Sequence, residues 1–162
     1  MNYYDEIKND VMEVLEEDTN AKDILYSGED KDTIIEDLND YLFNCDYVTG
    51  NASGSYYFNS WKARQQCYNF ASDVREVLEK YDGYERKLKL FKEFEELADE
   101  GYIDVDTMTL DYEVLNEANE DEKYYITYIF EEIEELNFET LDVITRCYML
   151  NEVLSDVLNE IL

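Results

Sequence analysis

The chain has 162 residues, 45% hydrophobic and 15% aromatic, and 42 acids against 13 bases give it a formal net charge of −29. That apolar content excludes a disordered polyelectrolyte, and the charge argues against direct binding of nucleic acid. There is no histidine, so the serine, cysteine and metal-hydrolase constellations lose their usual base or ligand.

Length and apolar content predict a single acidic helical domain over residues 1–162. Apolar positions recur at helical spacing, and proline, the commonest breaker, is absent. Ile7, Val11, Val14 and Leu15 predict a first helix, and Ala21, Ile24 and Leu25 a short second one. Ile34, Ile35, Leu38, Tyr41 and Leu42 predict a third, capped by Asp30 or Asp32.

In the stretch DYVTGNASGSYYF, residues 46–58, β-branched and aromatic residues flank a glycine-rich turn, which predicts a β-hairpin. Asn59 or Ser60 then caps a long helix with the stripe Trp61, Tyr68, Ala71, Val74, Leu78 and Tyr81, anchored by Trp61 and stopped at Asp82-Gly83. Leu88, Phe91, Phe94 and Leu97 predict another helix ending at Gly101, and residues 102–107 a connector. Met108, Tyr112, Leu115 and Ala118 predict a shorter helix, and Tyr125, Ile129, Ile133 and Leu136 a firmer one starting at Asp121. Asn137 caps a final helix through Leu141, Ile144, Tyr148, Val153 or Leu154, Val157 and Ile161. The expected fold is mainly α, a single compact helical domain of about six to seven helices with one short β-hairpin near residues 46–58.

Cys45, Cys67 and Cys147 are odd in number and widely spaced, and they read as free thiols. The acidic opening MNYYDEIKND lacks the cationic and apolar regions of a signal peptide. No apolar run approaches the roughly 20 residues of a membrane span. A cytoplasmic protein with no membrane association is expected.

Catalytic and metal motifs fit poorly. Helical di-metal carboxylate sites want Glu-x-x-His, which a chain without histidine cannot supply. Asp104 and Asp106 fill positions one and three of a calcium loop, but Met108, Thr109 and Leu115 stand where a ligand, a glycine and a bidentate glutamate belong. GNASGS leads into a predicted strand rather than the helix that a phosphate loop needs. Carboxylates on the wet side of Ile129 and Ile133 read as a solvated helix face rather than an acid–base pair. No catalytic residue, metal or cofactor is therefore expected, and the chain reads as a non-enzyme.

The charge is unevenly spread. Residues 1–46 hold 15 acids and 3 bases, and residues 93–122 hold 13 acids and no base, whereas residues 47–92 hold 5 acids and 8 bases. Carboxylates three or four residues apart on a helix stand about 5–6 Å apart, and DNA carries one charge per ~1.7 Å of its axis. An acidic helical array can therefore occupy a protein groove built for nucleic acid, drawn there by a long-range, salt-sensitive attraction. The residues predicted to meet such a partner are Asp99, Glu100, Asp104, Asp106, Asp111, Glu113, Glu131, Glu132, Glu134 and Glu135. Lys62, Arg64, Arg86, Lys87, Lys89 and Lys92, in the basic window, are expected to pair with acids of neighbouring helices. A second reading is a structural or adaptor protein that self-associates, for instance as a homodimer, through apolar surface off the stripes at Tyr3, Tyr4, Tyr124 and Tyr128.

Two segments, GSYYFNSWKARQQCYNF at 54–70 and LDVITRCYMLNEVLSDVLNEIL at 141–162, resemble matching parts of a family of small acidic proteins from phages and mobile elements. In that family a Gly-Ser-Tyr hairpin feeds a tryptophan-led helix. The resemblance carries over no functional residue. It implies a setting in which small acidic proteins are similar to inhibitors of host defence nucleases, anti-CRISPR and anti-restriction proteins among them, several of which mimic DNA. The partner it implies is a Cas effector with a basic nucleic-acid groove.

Overall fold

The computed structural model describes residues 2–45, 47–50 and 60–162. Helix accounts for 76% of them, so the chain is mainly α. In chain order the elements are α1 Tyr3–Glu17, α2 Thr19–Leu25, α3 Lys31–Phe43, α4 Ser60–Asn69, α5 Ala71–Lys80 and α6 Glu85–Asp99, then β1 Ile103–Asp104 and β2 Thr109–Leu110. After these come α7 Tyr112–Leu115, α8 Glu120–Ile133, a 3₁₀ turn Glu134–Leu136 and α9 Phe138–Ile161. Contacts group the chain into two compact units, residues 1–59 with 142–162, and residues 60–141.

In the first unit, Tyr3, Ile7, Val11 and Leu15 repeat every fourth residue along α1 and are all buried. Ala21 and Leu25 of α2, Ile34, Leu38 and Leu42 of α3, Val48, and Met149, Leu150, Val153, Leu154, Val157 and Leu158 of α9 are buried with them. Local chemistry sets the helix starts. Asn2 accepts from the Asp5 N–H at 2.9 Å, Asp18 from Ala21 at 3.0 Å, and Asp30 from Thr33 at 2.8 Å. Each satisfies an amide that the first helical turn leaves without a partner. Of the two caps considered for α3, Asp30 is the one used.

In the second unit, Leu90, Phe91, Phe94 and Leu97 of α6 are buried, as are Ile126, Ile129 and Ile133 of α8. Phe94 centres an aromatic cluster, with its ring 4.9 Å from Phe138, 6.0 Å from Phe91 and 6.1 Å edge-on from Tyr68. The long helix expected from Trp61 to Tyr81 is two helices, because Phe70 leaves helical geometry at φ −114 and ψ 39. Its buried face is Ala63, Cys67, Ala71, Val74 and Leu78. Trp61 lies two residues, about 200° of helical turn, from Ala63 and is 48% exposed. It therefore does not anchor the first turn.

The described two-stranded antiparallel sheet pairs Ile103 with Leu110 and Asp104 with Thr109, within the stretch expected to be a connector followed by a helix from Met108. An Asp104 carboxylate oxygen closes the turn by accepting from the backbone N–H of Asp106 at 2.9 Å and Thr107 at 3.4 Å. Asp111 then caps α7. The hairpin expected near residues 46–58 lies largely outside the described residues, and Tyr47–Thr49 form a turn.

Candidate functional site

All ten acids expected to meet a partner fall in the unit formed by residues 60–141, and nine are exposed, Glu132 being half-buried. Several also hold the fold together. Asp99 accepts from the Tyr68 hydroxyl, a hydrogen bond that raises the Tyr68 pKa above its ordinary value. Asp104 closes the hairpin turn, Asp106 accepts from Gln65, and Asp111 caps α7 through the Glu113 and Val114 amides at 3.0 and 3.3 Å. These hydrogen-bond donors are uncharged and form no ion pair with the acids. Glu132 and Glu135 lie 2.7 and 3.1 Å from Arg86 and are partly neutralised by it. Glu100, Glu113, Glu131 and Glu134 have no ion-pair partner among the described residues.

Of the six bases expected to pair with acids of neighbouring helices, Arg86 and Lys92 do so, whereas Lys87 and Lys89 have no ion pair among the described residues. Arg75 meets Glu95, Lys80 meets Glu76 at 3.2 Å, and Lys92 meets Glu79 at 3.8 Å. Unit 60–141 thus divides electrically into residues 60–92, with 5 acids and 8 bases, and residues 93–141, with 18 acids and 1 base.

On the acidic half a groove of about 370 Å³ lies between α6 and α8. From α6 and its C-cap it receives Glu93, Glu96 and Glu100, and from α8 Asp121, Glu122 and Tyr125. Buried Leu97, Ile126 and Ile129 form its floor. Both helices have well-made ends at this point. α6 closes with a Schellman arrangement, in which the Tyr102 N–H donates to the Leu97 carbonyl at 2.9 Å and the Gly101 N–H to Ala98 at 3.1 Å. Gly101 sits at φ 86, in the left-handed region that glycine adopts without a Cβ clash.

α8 opens at Asn119, whose side-chain Oδ1 accepts from the Glu122 backbone N–H at 2.9 Å while its side-chain NH₂ donates to the Glu122 carboxylate at 2.9 Å. Glu120, Asp121 and Glu122 then occupy the first turn, where the helix dipole favours negative charge. The Tyr125 hydroxyl donates to Glu93 across the groove at 3.2 Å. Burial, followed by the charge of Glu93, raises the Tyr125 pKa. Of the groove acids only Glu100 is among the ten expected, because the groove depends on α6 lying beside α8 and periodicity does not show that pairing.

A second cluster, in the other unit, also escaped prediction. Arg146 is 1% exposed, and its guanidinium lies 2.8 Å from Glu6, 3.2 Å from Asp142 and 3.8 Å from Asp10. The Tyr3 hydroxyl donates to Asp142 at 2.6 Å, and the Tyr3 ring lies 5.4 Å from the guanidinium carbon. These contacts fasten α1 to α9. The available signal was an Asp and an Arg four residues apart in LDVITRCYML, an otherwise apolar run. Tyr3 is accordingly buried core rather than spare apolar surface, and the Tyr4 hydroxyl donates to Asp156. Tyr124 and Tyr128 are as open as expected, at 78% and 51% exposed.

The chain matches no known protein family, no curated protein and no solved structure. No helix among the described residues is long and apolar enough to cross a membrane.

Proposed function

We propose that the chain is a stoichiometric inhibitor whose acidic face, carried by residues 93–141, occupies the basic nucleic-acid groove of a host defence nuclease. The supporting observation is the 18 acids against 1 base in that segment, most of them on helices and the rest on the caps and turns that join them. A folded array of this kind meets a lysine- and arginine-lined groove without losing much conformational freedom on binding, and it competes with DNA for the same counter-charges. The finer reading is an anti-CRISPR protein that blocks DNA binding or cleavage by a Cas9-type effector, with an anti-restriction DNA mimic as its near relative in mechanism. Purified chain is mixed with guide-loaded Cas9-type complexes and with restriction nucleases, and cleavage is followed. The expected result is titratable inhibition that weakens when Glu131, Glu132, Glu134 and Glu135 become glutamine. Unchanged cleavage across both nuclease classes would sink the proposal.

A second reading, self-association through α8, draws on the exposure of Tyr124, Tyr125 and Tyr128, each of which leaves more than half of its surface open. Sedimentation at low and high salt discriminates. A dimer that tightens with salt supports this reading, and a monomer under both conditions removes it.

A further inference from the structure

Arg86, Arg75, Lys80 and Lys92 of unit 60–141 are engaged by Glu132 and Glu135, Glu95, Glu76 and Glu79 respectively. None of these cations reaches the α6/α8 groove. Its five acids, Glu93, Glu96, Glu100, Asp121 and Glu122, have no ion-pair partner among the described residues. They surround the apolar floor of Leu97, Ile126 and Ile129.

Two physical features define what this groove accepts. The floor and the open Tyr125 ring beside it favour an aliphatic group, because covering that ring and the exposed edge of the floor removes apolar surface from water. The rim favours positive charge, because five clustered carboxylates attract cations and a purely apolar occupant would desolvate them and give them nothing in return. A single metal ion does not meet the demand, since no three acids or thiols among the described residues converge as ligands. Glu93, Glu96 and Glu100 instead run along one side of α6 over about 10 Å of helix axis, so their counter-charges must be spread along a chain. The volume of about 370 Å³ lies near the lower end for binding sites, enough for one aliphatic side chain between flanking cations.

We propose that the α6/α8 groove is a docking site for a segment of a partner protein that presents lysine or arginine side chains around one aliphatic residue. This rests on the reading of the acidic face as a partner surface and names the chemistry by which the partner is held.

The test uses the full chain and three probes: a short synthetic peptide with arginines around one leucine, its equally charged twin with serine for that leucine, and spermine. Calorimetry at physiological ionic strength is expected to show the leucine peptide binding about tenfold more tightly than the serine twin. Glu93→Gln with Glu96→Gln is expected to weaken that peptide about tenfold. Asp23→Asn with Asp37→Asn, which removes the same charge from exposed positions of the other unit, is expected to leave it unchanged, with circular dichroism confirming that both variants fold. Equal affinity for the peptide, its twin and spermine overturns the proposal in favour of diffuse charge attraction, and so does equal weakening by the two double variants. Nuclease assays run in parallel separate the two readings. Peptide binding without inhibition of any nuclease overturns the inhibitor reading and leaves the groove standing. Inhibition that survives in the Glu93→Gln, Glu96→Gln protein, with no peptide binding to the native chain, overturns the groove alone.

Discussion

Arg146 is a fully enclosed cation facing Glu6, Asp10 and Asp142, so its replacement would leave buried negative charge with nothing opposing it. Breaking a buried pair from one side typically costs about 3–5 kcal/mol, and Arg146→Ala is expected to lose stability in that range on urea denaturation. Asp142 behaves differently. Burial pushes its carboxyl above the ordinary value, although Arg146 and the Tyr3 hydroxyl pull it down. With the folded pKa raised, the contribution of Asp142 is fully present below its unfolded pKa and is lost as pH rises through the folded one. Asparagine resembles the protonated acid and does not titrate. The destabilisation caused by Asp142→Asn should therefore shrink between pH 4 and pH 7, and denaturation at the two pH values reads this directly. A penalty that grows with pH would mean that the ion pair, rather than desolvation, dominates the site.

Among the elements, α6 depends on how it ends. Gly101 stands at φ 86 with nothing within 4 Å of an added Cβ, so a side chain there meets backbone strain rather than a clash. Gly101→Ala is expected to cost about 1 kcal/mol, a fall in melting temperature of a few degrees for a chain of this size. It should also loosen the Tyr102 edge of the groove. This ending was legible in the sequence, as were the α6 stripe of Phe91, Phe94 and Leu97 and the Asn137 cap of α9, which accepts from the Thr140 amide at 3.2 Å. The break at Phe70 was not, because Ala63, Cys67, Ala71, Val74 and Leu78 keep three- and four-residue spacing straight through it. Nor was the Ile103–Leu110 hairpin, whose strands of two residues are too short to alternate and whose turn is set by one aspartate side chain. The exposure of nine of the ten predicted acids was legible because they stand off the apolar stripes. The groove and the pairing of Arg86 with Glu132 and Glu135 were not, since residues of different helices meet there only through tertiary packing.

For the whole molecule the governing quantity is the net charge of −29. Both units share it: residues 60–141 hold 23 acids and 9 bases, and the remainder 19 acids and 4 bases. Self-repulsion on this scale destabilises the folded state and is screened by salt. The melting temperature is therefore expected to rise as sodium chloride is added to a low-salt buffer, opposite to a fold held mainly by surface ion pairs. The same excess charge that costs stability is what the proposed function uses, drawing a basic groove from a distance and resisting release at close range. Displacement of DNA tests this most directly. A fluorescent duplex is bound to a guide-loaded Cas9-type complex and the chain is titrated in while anisotropy is recorded. The duplex is expected to be released with one chain per complex, less effectively as salt rises, and poorly by the protein in which Glu131, Glu132, Glu134 and Glu135 are glutamine. Retention of the duplex at saturating chain, or equal displacement by the glutamine variant, would contradict the proposed function.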